Sequence, residues 1–517
     1  MVRFCSTLVL AVCVAQVSYG LTWDTEVASD SSNRVYFQTG LAIDGGGVPY
    51  MGGEGSQTGA RINYRDPANP DLWTPVTFWG VGNVRQGDMD FTPNGNVHFV
   101  FDDQGRTEVG PPNTHLTTYD YAGGTGWSEL SGFGFGLNLP KVDVKGNALT
   151  DLGCFGTYNA RSSTQEAEFG ADPYPSFDNQ PVYASYDGSQ WTAERILDST
   201  TWLKPTGDGN AMRFDNAGNP SVLMFDRGEN KLGVFTRDTG GAWQANYVPN
   251  TTSAYSITHH IAASFAYHGD DLYVTYMEMR QQDPDSGRYG KLYFAEYSDG
   301  AWQEEVLLDE DLFEGASVSP YVTTDMDINS EGKVAIAYCY LETGGRFLDT
   351  TTGETRFIYT DDSGSFTTPE VIPEPDTVTK DATYGYNVVF DPQDDSTVHV
   401  LYRTPFNGSG GSMFHDTYFA TASFPSAVLL GDFDGNGAFN GLDIPDFKAA
   451  LADPEGWATD NPDMPHPNEI GDFDGNGAFN GLDIPGFKTA LAGTAIPEPA
   501  TLALLAAGAV MAIRRRR

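Results

Sequence analysis

Two stretches, Tyr-Asp-Gly-Ser-Gln-Trp at residues 186–191 and Ser-Asp-Gly-Ala-Trp at residues 298–302, each place a tight turn directly before a tryptophan. A Gly-containing turn followed by an aromatic residue recurs from Leu21 to Ser423, a region rich in aromatic and β-branched residues. The aromatic positions lie 54, 64, 52, 59 and 64 residues apart, at Trp73, Trp127, Trp191, Trp243, Trp302 and Phe366. Strand-forming repeats of about 50 residues are typical of propeller blades rather than of a sandwich. The sequence therefore predicts an all-β fold.

A second turn in each repeat predicts where the first two strands of a blade meet. It is found at residues 93–96, 216–219 and 330–333, each time followed by an apolar run. The last repeat, from about Tyr384, lacks a fourth strand, whereas Trp23 and Glu26 reproduce the Trp-x-x-Glu pattern of other repeats near the N-terminus. We therefore predict a seven-bladed β-propeller over residues 21–424. The N-terminal strand closes the ring, so that no sheet edge is left open.

Fifteen residues, Gly-Asp-Phe-Asp-Gly-Asn-Gly-Ala-Phe-Asn-Gly-Leu-Asp-Ile-Pro, occur twice without a change, at 431–445 and 471–485. Counted from the first Asp, each copy has oxygen side chains at places 1, 3, 5, 9 and 12, a turn glycine at place 6 and a backbone carbonyl ligand at place 7. Such oxygen shells bind the hard cation Ca²⁺. The predicted ligands are Asp432, Asp434, Asn436, Ala438, Asn440 and Asp443, then Asp472, Asp474, Asn476, Ala478, Asn480 and Asp483. The alternative is an Asn/Asp/Gly turn cluster without metal, which two identical copies disfavour.

Each loop runs into an apolar pattern that predicts a short helix. Ile444, Phe447 and Leu451 recur at a spacing of three to four residues, and Pro445 suits a first helical turn. A calcium loop followed by one helix, with Asp at place 12, resembles the type I dockerin repeat, which is EF-hand-like, over residues 429–493. The resemblance implies a small α-helical calcium-binding module. Gly and Leu stand at places 10 and 11, where dockerins usually select a cohesin, so a cohesin-like partner is left open.

The two ends of the chain predict export. Residues 1–20 combine Arg3, an apolar run and small residues at Ser18 and Gly20, as expected of a secretory signal peptide. Residues 496–517 contain Pro-Glu-Pro, an apolar stretch and four arginines, and this tail resembles the PEP-CTERM sorting signal. That resemblance implies an exosortase-type enzyme as partner and a protein sorted to the cell surface. A helix over residues 501–513 rises only about 20 Å, so transient membrane contact fits better than a permanent anchor.

Composition narrows the classes of partner. The formal net charge is −41, which disfavours nucleic acid and anionic membranes because phosphates would be repelled. Beyond the signal peptide only Cys154 and Cys339 remain, and they either pair with each other or stay as buried thiols.

The propeller repeats loosely resemble BNR-like and sialidase-like propellers over roughly four fifths of the chain. The predicted loops between strands two and three are long and polar, as at 102–113, 157–180, 278–289, 342–354 and 403–412, so the face that carries them is the expected working face. The residues expected there are Asp102, Asp103, Arg106, His115, Glu278, Arg280, Arg288, Glu342, Arg346, Arg403 and His415, with His259 and His260 close by.

Two function classes remain open for this face. The favoured one is a binding protein for extracellular polysaccharide or protein. The other is a secreted polysaccharide-degrading enzyme, a lyase first and a glycoside hydrolase second, with catalytic candidates His115, His259, His260, Arg280 and Arg403. We predict that His98 and His399 are packing residues, because they share the strand-two place that is Ser221 in another blade.

Overall fold

The computed structural model describes residues 21–29, 36–56, 59–69, 72–79, 84–103, 113–120, 126–128, 131–162, 165–166, 171–197, 202–203, 211–226, 228–249, 263–283, 287–310, 312, 324–343, 352–361, 363–375, 384–403, 417–424, 430–435, 439–461, 464 and 466–494. The chain divides into two compact units, Met1–Phe424 and Pro425–Arg517. Within those described ranges, no helix has the length and apolar character needed to cross a membrane.

The first unit is built from seven antiparallel sheets, each forming one blade. The chain begins with β1 (Trp23–Ser29), which belongs to the last blade. Blade 1 contains β2 (Tyr36–Ile43), β3 (Pro49–Ser56), β4 (Gly59–Arg65) and β5 (Trp73–Trp79). Blade 2 contains β6 (Val84–Phe91), β7 (Val97–Asp103), β8 (Asn113–Tyr119) and β9 (Ser131–Gly132). Blade 3 contains β10 (Gly136–Val144), β11 (Leu152–Asn159), β12 (Pro181–Tyr186) and β13 (Trp191–Arg195), with short 3-10 turns at Leu149–Asp151 and Pro175–Phe177.

The remaining blades follow the same order. Blade 4 contains β14 (Trp202–Leu203), β15 (Met212–Phe214), β16 (Pro220–Asp226), β17 (Lys231–Arg237) and β18 (Trp243–Tyr247). Blade 5 contains β19 (Ala263–His268), β20 (Asp271–Asp283), β21 (Gly287–Ser298), β22 (Ala301–Trp302) and β23 (Val306–Asp309). Blade 6 contains β24 (Thr324–Ile328), β25 (Val334–Thr343), β26 (Thr352–Tyr359) and β27 (Glu370–Val371). Blade 7 contains β28 (Tyr384–Asp391), β29 (Asp394–Arg403) and β30 (Thr417–Ser423), to which β1 adds the fourth strand.

The sheets close into a ring. Their innermost strands contact one another in cyclic order, from β2 through β6, β10, β15, β19, β24 and β28 back to β2. Strand β1 pairs antiparallel with β30, placing Trp23 opposite Ala422 and Val27 opposite Tyr418. Trp73, Trp191 and Trp243 each begin an outer strand, as the repeat spacing predicts. The seven-bladed fold and its closure by the N-terminal strand are therefore confirmed.

Carboxylates on the innermost strands tie neighbouring blades together. Asp88 accepts from the backbone N–H of Val142 at 3.0 Å, and Asp90 from that of Val144 at 2.8 Å. The same pairing recurs between blades 6 and 7, from Val388 and Phe390 to Asp325 and Asp327, at 2.8 and 2.9 Å. An innermost strand has a neighbour on only one side, so these carboxylates satisfy N–H groups that the sheet itself leaves without an acceptor.

One predicted loop is wrong. Residues 278–289 do not form a long polar loop, because β20 runs to Asp283 and β21 begins at Gly287. The pairing continues through Glu278 opposite Lys291 and Arg280 opposite Tyr289. A β-ladder is held by backbone hydrogen bonds, so polar side chains alone do not end it.

The core of the ring is made of separate apolar clusters between adjacent blades. Cys339 lies in the cluster of blades 5, 6 and 7, whereas Cys154 lies in that of blades 2 and 3. Both thiols are buried and no disulfide joins them. Burial raises the pKa of the Cys154 thiol well above its ordinary value, so it remains protonated and unreactive.

The second unit contains short helices around one apolar core. They are α1 (Ile444–Ala452), α2 (Pro454–Asp460), α3 (Pro467–Ile470) and α4 (Ile484–Thr494), with a 3-10 turn at Gly441–Asp443. Pro445 lies in the first turn of α1, where its absent N–H has no intrahelical partner to lose. Helices thus begin directly after both repeated loops.

Candidate metal centres and propeller surface

Each repeated loop gathers three carboxylates around a common point. One oxygen from each of Asp432, Asp434 and Asp443 lies within 4.8 Å of the other two. Residues 472, 474 and 483 form a second group within the same limit. Two oxygens that bind one Ca²⁺ at its usual bond length are at most about 5 Å apart. The spacing and the all-oxygen chemistry of both groups therefore fit a hard divalent cation.

The aspartate at place 12 organises the first loop from inside. Asp443 is 0% exposed, whereas Asp434 is exposed. Asp443 Oδ1 accepts from the backbone N–H groups of Phe433 and Asp434 at 2.8 and 3.1 Å, and its Oδ2 accepts from Asn440 at 2.7 Å. The buried carboxylate thus fixes the start and the end of the loop at once. Asn436 and Ala438 lie outside the described residues.

The second loop is described throughout and repeats this arrangement. Asp483, also 0% exposed, accepts from the backbone N–H of Asp474 at 3.1 Å and of Asn480 at 2.7 Å. Asp472 accepts from the backbone N–H of Asn476 at 3.0 Å, and Gly477 takes a φ of +82°, which suits glycine at the sharp turn. Each carboxylate oxygen keeps a second lone pair, so these bonds leave room for a cation.

The two repeats share one aromatic core in a reciprocal way. Phe447 and Phe487, at equivalent places, stack with ring centroids 3.8 Å apart. The cross-contacts come in matched pairs: Phe433–Phe479 at 5.4 Å with Phe439–Phe473 at 5.8 Å, and Phe447–Phe479 at 5.2 Å with Phe439–Phe487 at 5.1 Å. The repeats therefore pack about an approximate twofold axis.

Leu442 and Leu482 occupy place 11 of the two loops. They are 66% and 67% exposed, which is unusual for large apolar side chains. Their exposure follows from the loop geometry, because the neighbouring Asp443 and Asp483 point inward. The two leucines are thus apolar groups presented to solvent in equivalent surroundings.

On the propeller, two of the residues that were predicted to lie on the working face are fully buried. Asp102, near the end of β7, and Arg403, the last residue of β29, are both 0% exposed. His115 lies in β8 with its ring stacked on that of Phe101, at a centroid distance of 5.5 Å and an interplanar angle of 20°. The structure therefore places Asp102 and Arg403 away from solvent and packs His115 against an aromatic ring.

The other candidates are placed only in part. Five occupy strand positions: Asp103 in β7, Glu278 and Arg280 in β20, Arg288 in β21 and Glu342 in β25. Five lie outside the described residues, namely Arg106, His259, His260, Arg346 and His415.

His98 and His399 are packing residues, as predicted. Both are buried, and their Nδ1 atoms hydrogen-bond to Thr118 and Thr421 at 2.8 and 3.0 Å. Burial lowers the pKa of His98 to about 4, so its ring is neutral at physiological pH. Buried, hydrogen-bonded imidazoles at matching places in two blades fit structural positions.

Sequence reasoning missed a charged cluster on the innermost strands. Arg213 Nη1 lies 3.3 Å from Asp143 Oδ1, and Asp90, on the neighbouring innermost strand β6, belongs to the same buried group. Burial raises the pKa of Asp90 well above its ordinary value and raises that of Asp143, and the charge of Asp143 adds to the shift of Asp90. The available signal was the triplet Asp-Met-Asp, which occurs at 88–90 and again at 325–327.

A cleft of about 190 Å³ lies between blades 4 and 5. It is formed at the turns between first and second strands, away from the loops that sequence reasoning favoured. Its lining residues are Asp215, Asn216, Ala217, Thr236, Asn246, Tyr267, Asp270, Leu272 and Tyr297. Within it Tyr267 Oη hydrogen-bonds to Ser221 Oγ at 2.9 Å, and Asn216 donates to Asp270 at 3.1 Å. None of the lining side chains is cationic, so the cleft offers hydroxyl, amide and carboxylate groups beside an aromatic ring.

The C-terminal residues match a known family model. Residues 495–517 match the model described as the PEP-CTERM protein-sorting motif. The chain is therefore an exported protein that is sorted to the cell surface or membrane, as its two ends predict. No curated protein matches the chain.

Several solved structures are similar over most of the propeller. A protein of unknown function from Dyadobacter fermentans shares 12% identity, covers 78% of this chain and 98% of its own, and has a TM-score of 0.40. An α-L-arabinofuranosidase from Fusarium graminearum shares 9% identity over 77% of this chain and 96% of its own, with a TM-score of 0.38. A leech intramolecular trans-sialidase shares 13% identity over 79% and 70%, with a TM-score of 0.38. At such identities no residue role transfers to this chain.

Proposed function

We propose that the chain is an exported surface protein with two working parts: a propeller that binds extracellular polysaccharide and a dockerin-like module that binds two calcium ions. Calcium stabilises the module, which spaces or docks the propeller at the cell surface. Export and sorting rest on the C-terminal motif. The rest of the proposal is built on the geometry of the loops and the cleft.

The calcium proposal rests on one observation: each repeated loop contains three carboxylates whose oxygens lie within 4.8 Å of one another. Without a cation, like charges so close repel one another, and the repulsion is largest where one carboxylate is buried. Asp443 and Asp483 are both buried. The proposed shells are completed by Asn436 or Asn476, by the carbonyl of Ala438 or Ala478, and by Asn440 or Asn480. Calcium bound there would draw each loop tight against its helix.

Chelation tests this proposal on the full protein. With calcium present we expect residues 430–494 to resist protease, and with EDTA we expect cleavage in this segment while residues 21–424 stay intact. Magnesium serves as the control, because its smaller ideal shell suits a flexible loop less well. Equal cleavage of the segment with calcium and with EDTA would contradict the proposal.

For the propeller, the cleft between blades 4 and 5 supports binding of a neutral glycan. Its hydroxyl and amide groups suit sugar hydroxyls, and Tyr297 offers an aromatic wall. A uronate or sialate would face Asp215 and Asp270 without a cation among the lining residues. The competing lyase function needs a cationic side chain beside the substrate carboxylate, and the enclosed Arg403 does not meet a polymer in this conformation.

The classes separate in one experiment. Binding to neutral and uronate-containing polysaccharides is measured alongside the release of unsaturated products and reducing ends. We expect retention on neutral polysaccharide without product, weakened at least tenfold by Tyr297→Ala or Asn216→Ala. Asn69→Ala, in an exposed turn of blade 1, is the matched control. Product release that is lost on His260→Ala or His115→Ala would favour the enzyme, and retention of protein but not glycan would favour a protein ligand.

A further inference from the structure

The N-terminal segment is held by one carboxylate of another blade. Leu21 N donates to Glu370 Oε2 at 2.9 Å, and Trp23 Nε1 donates to Glu370 Oε1 at 3.1 Å. Glu370 begins the outermost strand of blade 6, whereas Trp23 begins the outermost strand of blade 7. Both oxygens of Glu370 are therefore directed at the first residues of the segment that closes the ring.

Apolar contacts fix the same segment in place. Leu21 and Trp23 pack against the core of blades 6 and 7, and the Trp23 ring meets Phe357 edge to face at 4.9 Å. The position of the Leu21 nitrogen beside Glu370 is thus also set by apolar packing. It does not depend on the hydrogen bond alone.

The carboxylate lacks a side-chain counterion in the part of the chain that the structure describes. Arg356, on the strand beside β27, forms ion pairs with Asp309 and Glu354 instead, and no described lysine, arginine or histidine pairs with the partly buried Glu370. Burial raises the pKa of Glu370, so its ionised form is disfavoured as long as only neutral N–H groups contact it. A cation at the Leu21 nitrogen would correct this imbalance.

We propose that the Gly20–Leu21 bond is the cleavage site of the signal peptide and that Glu370 is the binding site for the α-ammonium group which cleavage creates. Ser18 and Gly20 supply the small residues that such cleavage requires. Hydrolysis consumes one water, leaves a carboxylate on Gly20 and an amine on Leu21, and the amine takes up a proton at neutral pH. The neutral hydrogen bond to Glu370 then becomes a charge-assisted ion pair.

This assignment couples processing to ring closure. In the precursor, Leu21 offers Glu370 one neutral amide N–H. In the mature protein the same atom carries a positive charge, and blade 6 holds the closing strand β1 more tightly. Cleavage therefore stabilises the closed ring. Because the cleaved bond is not formed again after export, this stabilisation is permanent.

The test has two parts. The N-terminal residue of the exported protein is determined first, and we expect Leu21. The mature protein is then compared with one that carries Gly-Ser-Gly before Leu21, by hydrogen exchange of the β1 amides below pH 7. We expect exchange in the extended protein to be faster by about fivefold, since an ion pair of this kind is worth about 1 kcal/mol.

Glu370→Gln is made in both proteins, because it removes the charge of the side chain while keeping its shape. The substitution should speed β1 exchange in the mature protein but add little in the extended one, whereas Glu304→Gln, at an exposed position, should change neither. Pairing raises the amine pKa above its unfolded value near 7.7–8.0, so the extra protection is lost as the pH rises through the folded value, and it is also lost in acid once Glu370 is protonated. An exported protein that begins elsewhere, or equal effects of Glu370→Gln in both proteins, would overturn the proposal.

Discussion

At the scale of single residues, the buried aspartates at place 12 carry most of the calcium proposal. Asp483 has no exposed surface and accepts two backbone N–H groups of its loop. Asp483→Ala leaves those donors without an acceptor and removes a ligand, so we expect the module to lose about 2–4 kcal/mol of stability and calcium affinity to fall at least tenfold. Asp483→Asn keeps an acceptor but loses the charge. It should lose affinity while the metal-free stability changes less, as calorimetry and thermal unfolding can show.

A second prediction at this scale concerns the paired carboxyl groups of the ring. The raised pKa of Asp90 means that the folded protein binds its proton more tightly than the unfolded chain does. Its contribution to stability is therefore full below about pH 4 and is lost as the pH rises through the folded pKa. Asp90→Asn imitates the protonated acid, so we expect the melting temperature of the variant to fall less than that of the wild type between mildly acidic and alkaline pH.

The matched control for that titration is Asp24→Asn, at an exposed position. It should leave the pH dependence of the melting temperature unchanged. If Asp90→Asn followed the wild-type curve throughout, the carboxyl pair would have no share in the stability of the ring.

At the scale of elements, the approximate twofold packing of the two repeats makes a sharp prediction. A Cβ at Gly471 would lie 2.3 Å from the Phe479 ring and 2.7 Å from the Pro467 carbonyl, whereas a Cβ at Gly481 meets nothing within 4 Å. We expect Gly471→Ala to destabilise the module by about 1–3 kcal/mol and Gly481→Ala to stay within about 0.5 kcal/mol. The unfolding transition of the module, followed by near-ultraviolet circular dichroism, reports both. Equal effects would contradict the tight packing of Gly471 against the Phe479 ring.

The strands and helices also show which features of the fold can be predicted from the sequence. Local signals predicted the blades and the helices after the loops, because turn glycines and leading tryptophans act within a few residues. Asp88 accepts a hydrogen bond from the Val142 N–H, 54 positions away, and no residue pattern near Asp88 predicts this contact. Likewise, the polar residues 278–283 and 287–289 were predicted to form a loop, although they lie in the paired strands β20 and β21.

At the scale of the whole molecule, closure of the ring is the property most open to a test. Removing residues 21–29 deletes β1 and exposes the edge of β30, which offers a template for pairing with other chains. We expect the truncated protein to aggregate and to melt at lower temperature. A protein that ends at residue 424 is the control, since the chain divides there into compact units, and it should keep a folded propeller. A stable, monomeric protein without β1 would contradict a closed ring.

The central proposal for the molecule is that each of the two groups of three carboxylates holds one calcium ion. Calcium titration of the metal-free, full-length protein by isothermal calorimetry measures this directly. We expect two ions to bind per chain, with loss of the heat for one site in Asp443→Asn or Asp483→Asn and for both in the double variant. Titration without saturable heat, or heat unchanged in the double variant, would contradict it.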